Sequence, residues 1–266
     1  MGKTDCSQEQ KIIDKVFADS STFWRDTYLR KDTHGLNVRQ RQITMLNYVE
    51  ELSLPKTARV LEIGCGAGFM SVALAQRGFI VEAVDHTPAM IELTKRKAKQ
   101  TGMSDRIRVS IEDVHELTFE DESFDLIVSL GVLQWLYNLR KALHEIVRVL
   151  KPGGYVAFSI PRSHAFINPL SVTAFESILE KAKRKVVKTV LHSKQDLIFP
   201  HTYMPKDFNQ YLSAENLTII KSTTVGFGVI KILNHEVFSK IQQQIAGSSN
   251  PILRAIGSQY VVLAKK

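Results

Sequence analysis

The chain has 266 residues, of which 44% are hydrophobic and 23% charged; this composition excludes a wholly disordered chain, and the length allows a full core. No uncharged apolar run reaches the length of a membrane span and no signal pattern opens the sequence, so we expect a cytoplasmic protein. Cys6 and Cys65 lie in unrelated contexts without metal-ligand spacing, so we expect no metal site.

The formal net charge is +8, and part of the excess lies in residues 180–194. Such a charge favours an anionic partner, but a solvated helix face explains the local run more simply.

The first 54 residues are predicted to form an N-terminal helical cap, because apolar residues recur at helical spacing and Pro55 follows. Strand and helix patterns then alternate through a core over residues 55–161. Strands are predicted at 58–64, 79–85, 106–113, 124–131 and 155–160, and helices at 70–78, 88–102 and 139–150. A KPGG turn is predicted between the last of these helices and the last of these strands. This alternation predicts an α/β fold with a doubly wound, mostly parallel sheet.

The alternation ends at Pro161. Residues 162–215 are predicted to form a helical insertion that acts as a substrate lid, because the segment starts where a strand enters the ligand crevice. Residues 216–266 are predicted to complete the core with strands at 217–228 and 259–266 and a helix at 235–247 between them. The predicted sheet therefore has seven strands.

Three glycines, Gly64, Gly66 and Gly68, follow the first predicted strand and open a helix. Their G-x-G-x-G spacing differs from the G-x-G-x-x-G of dinucleotide sites. Glu62 just before the loop repels a pyrophosphate and suits a cationic amino group, while Asp85 ends the second strand where it can accept ribose hydroxyls. The combination favours a nucleoside that carries a positively charged amino acid.

The stretch VLEIGCGAGF (residues 60–69) resembles the first motif of the class I S-adenosylmethionine-dependent methyltransferases. Residues 84–98, 111–136 and 142–161 resemble the later motifs of this family in the right order. Residues 17–49 are similar to small-molecule methyltransferases of the ubiquinone and magnesium-protoporphyrin kind. The resemblance implies a Rossmann-like fold, S-adenosyl-L-methionine as cofactor and S-adenosyl-L-homocysteine as product.

The resemblance also implies the cofactor contacts. Asp85 would hold both ribose hydroxyls with His86 against the adenine, and Asp113 and the N–H of Val114 would bind the adenine edge. The implied set is Tyr28, Glu62, Gly64, Cys65, Gly66, Gly68, Asp85, His86, Asp113, Val114, Ser129, Leu130 and Gln134.

A hydroxyl acceptor must lose a proton to a base within hydrogen-bonding reach. His201 and Tyr203, in the proline-bounded stretch FPHTYMP, are predicted to supply this base or a polar anchor, although a structural histidine remains an alternative. His164, His192 and Tyr137 are further candidates.

The sequence therefore predicts a methyltransferase that acts on a small apolar or aromatic acceptor, such as a quinone, polyketide or lipid-like intermediate. An RNA or protein methyltransferase and a noncatalytic S-adenosylmethionine-binding protein remain alternatives. No nucleic-acid partner is expected, because no appended binding module or basic aromatic motif is present. We expect a monomer or homodimer, and the basic amphipathic helix predicted at 169–191 leaves weak membrane-surface contact as an alternative to a plain lid.

Overall fold

A computed structural model describes residues 6–163, 201–226 and 257–266. Within these ranges the helices are α1 (Cys6–Asp19), α2 (Ser21–Thr27), α3 (Thr33–Glu51), α4 (Phe69–Gln76), α5 (Pro88–Gln100), α6 (Leu139–Val149) and α7 (Pro205–Ala214). The strands are β1 (Arg59–Ile63), β2 (Ile80–Asp85), β3 (Ile107–Ile111), β4 (Phe124–Leu130), β5 (Leu150–Pro161), β6 (Thr218–Val225) and β7 (Gln259–Lys265), and a short 3-10 helix spans Leu133–Trp135.

The seven strands form one sheet in the order β3-β2-β1-β4-β5-β7-β6. The first five strands run parallel to one another, and β7 pairs antiparallel with both β5 and β6. The predicted mostly parallel, Rossmann-like sheet is confirmed. The chain order reverses between β1 and β4, and in such sheets the ligand crevice opens beyond the carboxyl ends of the strands at that point.

The sheet is covered on both faces, which explains why its central strands read as continuous apolar runs. One face packs under α6 and α7 with Phe124, Phe158 and Phe208 fully buried. The other packs under α3 and α4 around Met45 and Leu74. Two apolar layers therefore hold the strand ends in fixed positions.

The N-terminal cap contains three helices. Asp32 caps α3, because its carboxylate accepts the N–H of Gly35 at 3.0 Å. At α5, Pro88 occupies the first turn as predicted.

Strand β5 begins earlier than predicted. The KPGG stretch remains inside the strand, because the N–H of Gly153 donates to Lys266 at 3.1 Å and the N–H of Lys266 donates to Gly154 at 3.0 Å. The β4–β5 register shifts between Phe124 and Leu126 to accommodate the extra residues.

Much of the predicted insertion and the predicted helix at 235–247 lie outside the described residues. The division into four segments stays a prediction. None of the helices in the described ranges is long and apolar enough to cross a bilayer.

Candidate active site

The loop after β1 needs glycine for two different reasons. Gly64 and Gly66 both have positive φ, at 71° and 55°. A Cβ on Gly64 would lie 2.2 Å from Cγ2 of Val132, so this glycine allows the loop after β4 to pack closely. A Cβ on Gly66 would meet no atom within 4 Å. The backbone at Gly66 therefore faces open space where a ligand can approach.

Asp85, at the end of β2, braces this loop from the neighbouring strand. Its Oδ2 accepts the N–H of Gly66 at 3.0 Å, and its Oδ1 accepts the N–H of Thr87 at 2.9 Å. Burial raises the pKa of Asp85, and the two N–H donors oppose that rise. Each carboxylate oxygen can accept a further hydrogen bond. The carboxylate can thus hold the loop and still receive ligand hydroxyls.

Glu62 lies inside β1 with 2% of its surface exposed. Its Oε2 accepts the hydroxyl of Ser71. Burial raises the pKa of Glu62 to about 8, with the Ser71 hydrogen bond opposing the rise. A buried carboxyl group of this kind favours a cation over a pyrophosphate in the adjacent cavity.

The N-terminal helices cover the loop. Tyr28 stacks on Phe69, directly after Gly68, with ring centroids 4.2 Å apart. Burial raises the pKa of Tyr28 to about 12, and the nearby Arg41 guanidinium opposes the rise. The phenol is therefore neutral over the physiological pH range.

Arg41 brings a partly buried cation from α3 to the same place. Its Nη1 donates to Oε1 of Gln259 at 3.1 Å, whereas its buried Nε has no hydrogen-bond partner in the structure. The guanidinium lies against Gly131, because a Cβ there would be 2.8 Å from Nη1. A buried donor without a partner suits an anionic ligand group.

The opposite end of the cavity carries two histidine–aspartate pairs. Nδ1 of His86 lies 2.8 Å from Oδ2 of Asp14 on α1, and this contact raises the pKa of His86. Asp113, after β3, receives the N–H of His115 at 2.9 Å and lies 2.7 Å from its Nδ1. Burial opposes ionisation of Asp113, but these contacts with His115 hold its pKa below the usual range.

The structure brings most of the predicted cofactor residues to one cavity of about 1150 Å³, a volume that includes its open mouth. The predicted residues that line it are Tyr28, Glu62, Gly64, Cys65, Gly66, Asp85, His86, Asp113, Val114 and Leu130. Their individual contacts with a cofactor stay predictions.

Three predicted residues lie behind the cavity wall. Gly68 packs against Thr94 of α5, Ser129 is fully buried in β4, and the side-chain amide of Gln134 donates to the carbonyl of Gly131 at 2.8 Å. The structure does not place them among the lining residues.

The two predicted catalytic residues lie outside this cavity. The side chain of His201 is exposed. The backbone N–H of His201 donates to the backbone carbonyl of Gln134 at 2.8 Å. Tyr203 borders a second pocket with Arg140 and Tyr211. Their catalytic role stays a prediction, and the candidates His164 and His192 fall outside the described residues.

Three aromatic side chains that have no predicted acceptor role line the cavity beside the glycine loop: Phe17 of α1, Trp24 of α2 and Trp135 of the 3-10 helix. We call them the aromatic wall. The sequence signal for Trp135 is its place just after β4, where the crevice of such a sheet opens. No local pattern indicates that Phe17 reaches it.

The lining fits a sulfonium nucleoside with an amino-acid tail. The open backbone at Gly66 admits it, and Asp85 suits ribose hydroxyls. Glu62 offers carboxyl oxygens to an ammonium, and Arg41 offers a cationic donor to a carboxylate. The donors and acceptors are thus those that S-adenosylmethionine requires.

Comparison with known sequences agrees with this chemistry. A family model described as "Methyltransferase domain" matches residues 61–158. The Caenorhabditis elegans "Sterol 4-C-methyltransferase strm-1" is 32% identical over 44% of this chain and 35% of its own length. The Coxiella burnetii "Ubiquinone biosynthesis O-methyltransferase" is 30% identical over 54% of this chain and 58% of its own. The matches thus span about a third to just over half of these curated relatives.

Solved structures share the fold at low sequence identity. The Burkholderia thailandensis 1,6-didemethyltoxoflavin-N1-methyltransferase, solved with S-adenosylhomocysteine, has a TM-score of 0.61 at 16% identity over 100% of this chain and 92% of its own. A putative sarcosine dimethylglycine methyltransferase from Galdieria sulphuraria has a TM-score of 0.60 at 18% identity, over 93% and 98%. The sequence-based family and cofactor predictions are confirmed at the level of the domain: residues 61–158 are a methyltransferase domain of the class I, S-adenosylmethionine-dependent type.

Proposed function

We propose that this protein transfers the methyl group of S-adenosylmethionine to a small apolar or aromatic acceptor. One observation carries the proposal: a single cavity joins the glycine loop and its carboxylates to the aromatic wall. A cofactor site and an apolar site in one cavity are what a two-substrate transfer requires.

The relatives named above support the choice of acceptor class. Their names refer to ubiquinone biosynthesis and to a sterol, both of which involve apolar ring compounds. The apolar lining near the wall, which includes Ile13, Val38 and Leu136, suits acceptors of this type.

The bound cofactor supplies an electrophilic methyl carbon on a sulfonium. The chain's own contribution is mainly positional, since an in-line displacement needs the acceptor held opposite the sulfur. Asp85 and Asp113 fix the nucleoside end, and Arg41 fixes the amino-acid end. The apolar lining excludes water, which would otherwise compete for the methyl group.

Methyl transfer from deuteromethyl-labelled S-adenosylmethionine tests the proposal, with mass spectrometry of a panel of quinols, phenols and sterols. We expect a labelled product from at least one ring compound, and none with Asp85→Ala. If the wild type binds the cofactor but labels only RNA or protein, or nothing at all, the proposal is wrong.

A further inference from the structure

The aromatic wall is a compact cluster of three rings. Phe17 stacks on Trp24 with centroids 5.5 Å apart and an interplanar angle of 27°. It also meets Trp135 edge-on, at 5.2 Å and 88°. All three rings are partly exposed and line the cavity that contains Asp85. The chain has two tryptophans, and both are in this cluster.

The order of the strands separates Trp135 from the nucleoside end of the cavity. Asp113 and His86 follow β3 and β2, and the glycine loop follows β1. Strand β4, which precedes Trp135, is the next strand in that direction. Trp135 therefore lies beyond the glycine loop, on the side away from the adenine contacts.

The packing of the glycine loop brings the wall close to the reacting end. Val132 lies so close to Gly64 that a Cβ on the glycine would be 2.2 Å from its Cγ2. Trp135 follows Val132 by one turn of the 3-10 helix, and its N–H donates to the carbonyl of Val132 at 2.8 Å. A cofactor whose ribose is at Asp85 and whose amino-acid end is at Arg41 would place its methyl carbon near this junction.

The chemistry of the wall favours a flat, uncharged ring. Indole and phenyl faces stack with planar rings in offset or edge-on geometry. The partly buried Arg41, which lines the same cavity against Gly131, disfavours a positively charged acceptor beside it.

We infer that Phe17, Trp24 and Trp135 form the acceptor subsite and that this subsite takes a flat, uncharged ring by stacking. The inference rests on the proposed function, because the subsite has meaning only beside a bound cofactor. It gives α1 a specificity role: Asp14 contacts His86 at the nucleoside end, and Phe17 one turn later contacts the acceptor.

Calorimetry on the protein saturated with S-adenosylhomocysteine tests the subsite, with 1-naphthol as the flat probe and tetramethylammonium as the cationic probe. Phe17→Leu and Trp135→Leu remove one wall ring each. Phe119→Leu is the matched control, since the Phe119 ring is partly buried and packs on Phe124 but does not line the cavity.

We expect 1-naphthol to bind the complex and each wall variant to weaken that binding by about 2- to 10-fold, the range for one aromatic pair. Affinity for S-adenosylhomocysteine should stay unchanged in all three variants, which shows that they fold. Phe119→Leu should bind 1-naphthol like the wild type.

The inference is overturned if the complex does not bind 1-naphthol, if the wall variants bind it as well as the wild type, or if tetramethylammonium binds more tightly. Failure to bind S-adenosylhomocysteine would instead refute the proposed function. The two failures are therefore distinguishable.

Discussion

At the scale of single residues, Gly64 and Gly66 separate a packing requirement from a ligand requirement. Both glycines have a left-handed backbone conformation, so replacing either by a residue with a side chain costs about 1–2 kcal/mol in backbone strain. At Gly64 the added carbon also collides with Val132, and such overpacking costs about 1–3 kcal/mol more.

We therefore expect Gly64→Ala to lower the free energy of unfolding more than Gly66→Ala does, by about 1–3 kcal/mol. Gly66→Ala should lose cofactor affinity while staying folded, because its methyl group fills the open space of the loop. Urea unfolding and calorimetry measure the two effects. Equal stability losses, or full cofactor affinity in Gly66→Ala, would contradict this explanation.

Arg41 provides a second prediction at this scale. If its unpaired Nε and neighbouring Nη atoms bind the cofactor carboxylate, Arg41→Met should weaken S-adenosylhomocysteine binding by about 10-fold or more, typical of one charge-assisted hydrogen bond. Binding of 5′-methylthioadenosine, which lacks that carboxylate, should not change.

The comparison of S-adenosylhomocysteine with 5′-methylthioadenosine provides the internal control for Arg41. Equal losses for both would mean that Arg41 only supports the fold, through its contact with Gln259.

At the scale of elements, α1 is held over the cavity by the Asp14–His86 contact. The pKa of His86 is raised above 6.5 by the hydrogen bond that its Nδ1–H donates to Asp14, and by the negative charges of Asp14, Asp113 and Asp85. The stabilisation is therefore complete below pH 6.5 and decreases as pH rises through the folded-state pKa of His86. Because both side chains are partly exposed, the contact is worth at most about 1 kcal/mol.

Asp14→Asn should thus destabilise the protein at pH 6 and have a smaller effect at pH 9, measured by urea unfolding. A control is Glu92→Gln, which removes an exposed pair with Lys95 on α5. This pair contains no histidine, so the control shows how an exposed ion pair without one depends on pH over the same range. A constant effect of Asp14→Asn would show that His86 does not titrate against it.

At the scale of the whole molecule, the sheet and the glycine loop were predictable because their signals are local. Each βαβ unit shows its own alternation of strand and helix patterns in the sequence, and this alternation predicts a parallel sheet. The motif residues Gly64, Gly66 and Asp85 lie at the ends of predicted strands, so their positions in the sheet follow from it. The cavity lining at β1, β2 and β3 follows from the same rule.

The aromatic wall was not predictable in this way. Phe17 and Trp135 lie far apart in sequence, and the path of α1 across the cavity depends on tertiary packing. The same reason applies to His201 and Tyr203. Their proline-bounded stretch was predicted to contribute to the acceptor pocket. In the structure the backbone of Tyr203 forms a β-bridge with Arg162 beside the end of β5, and Tyr203 lines a different pocket.

Calorimetric titration of the wild-type protein with S-adenosylhomocysteine tests the central claim, that the cavity beside Gly66 and Asp85 binds a sulfonium nucleoside and its product. We predict saturable 1:1 binding that is lost in Asp85→Ala. Absence of binding, together with tight retention of a nicotinamide or flavin dinucleotide, would contradict the account.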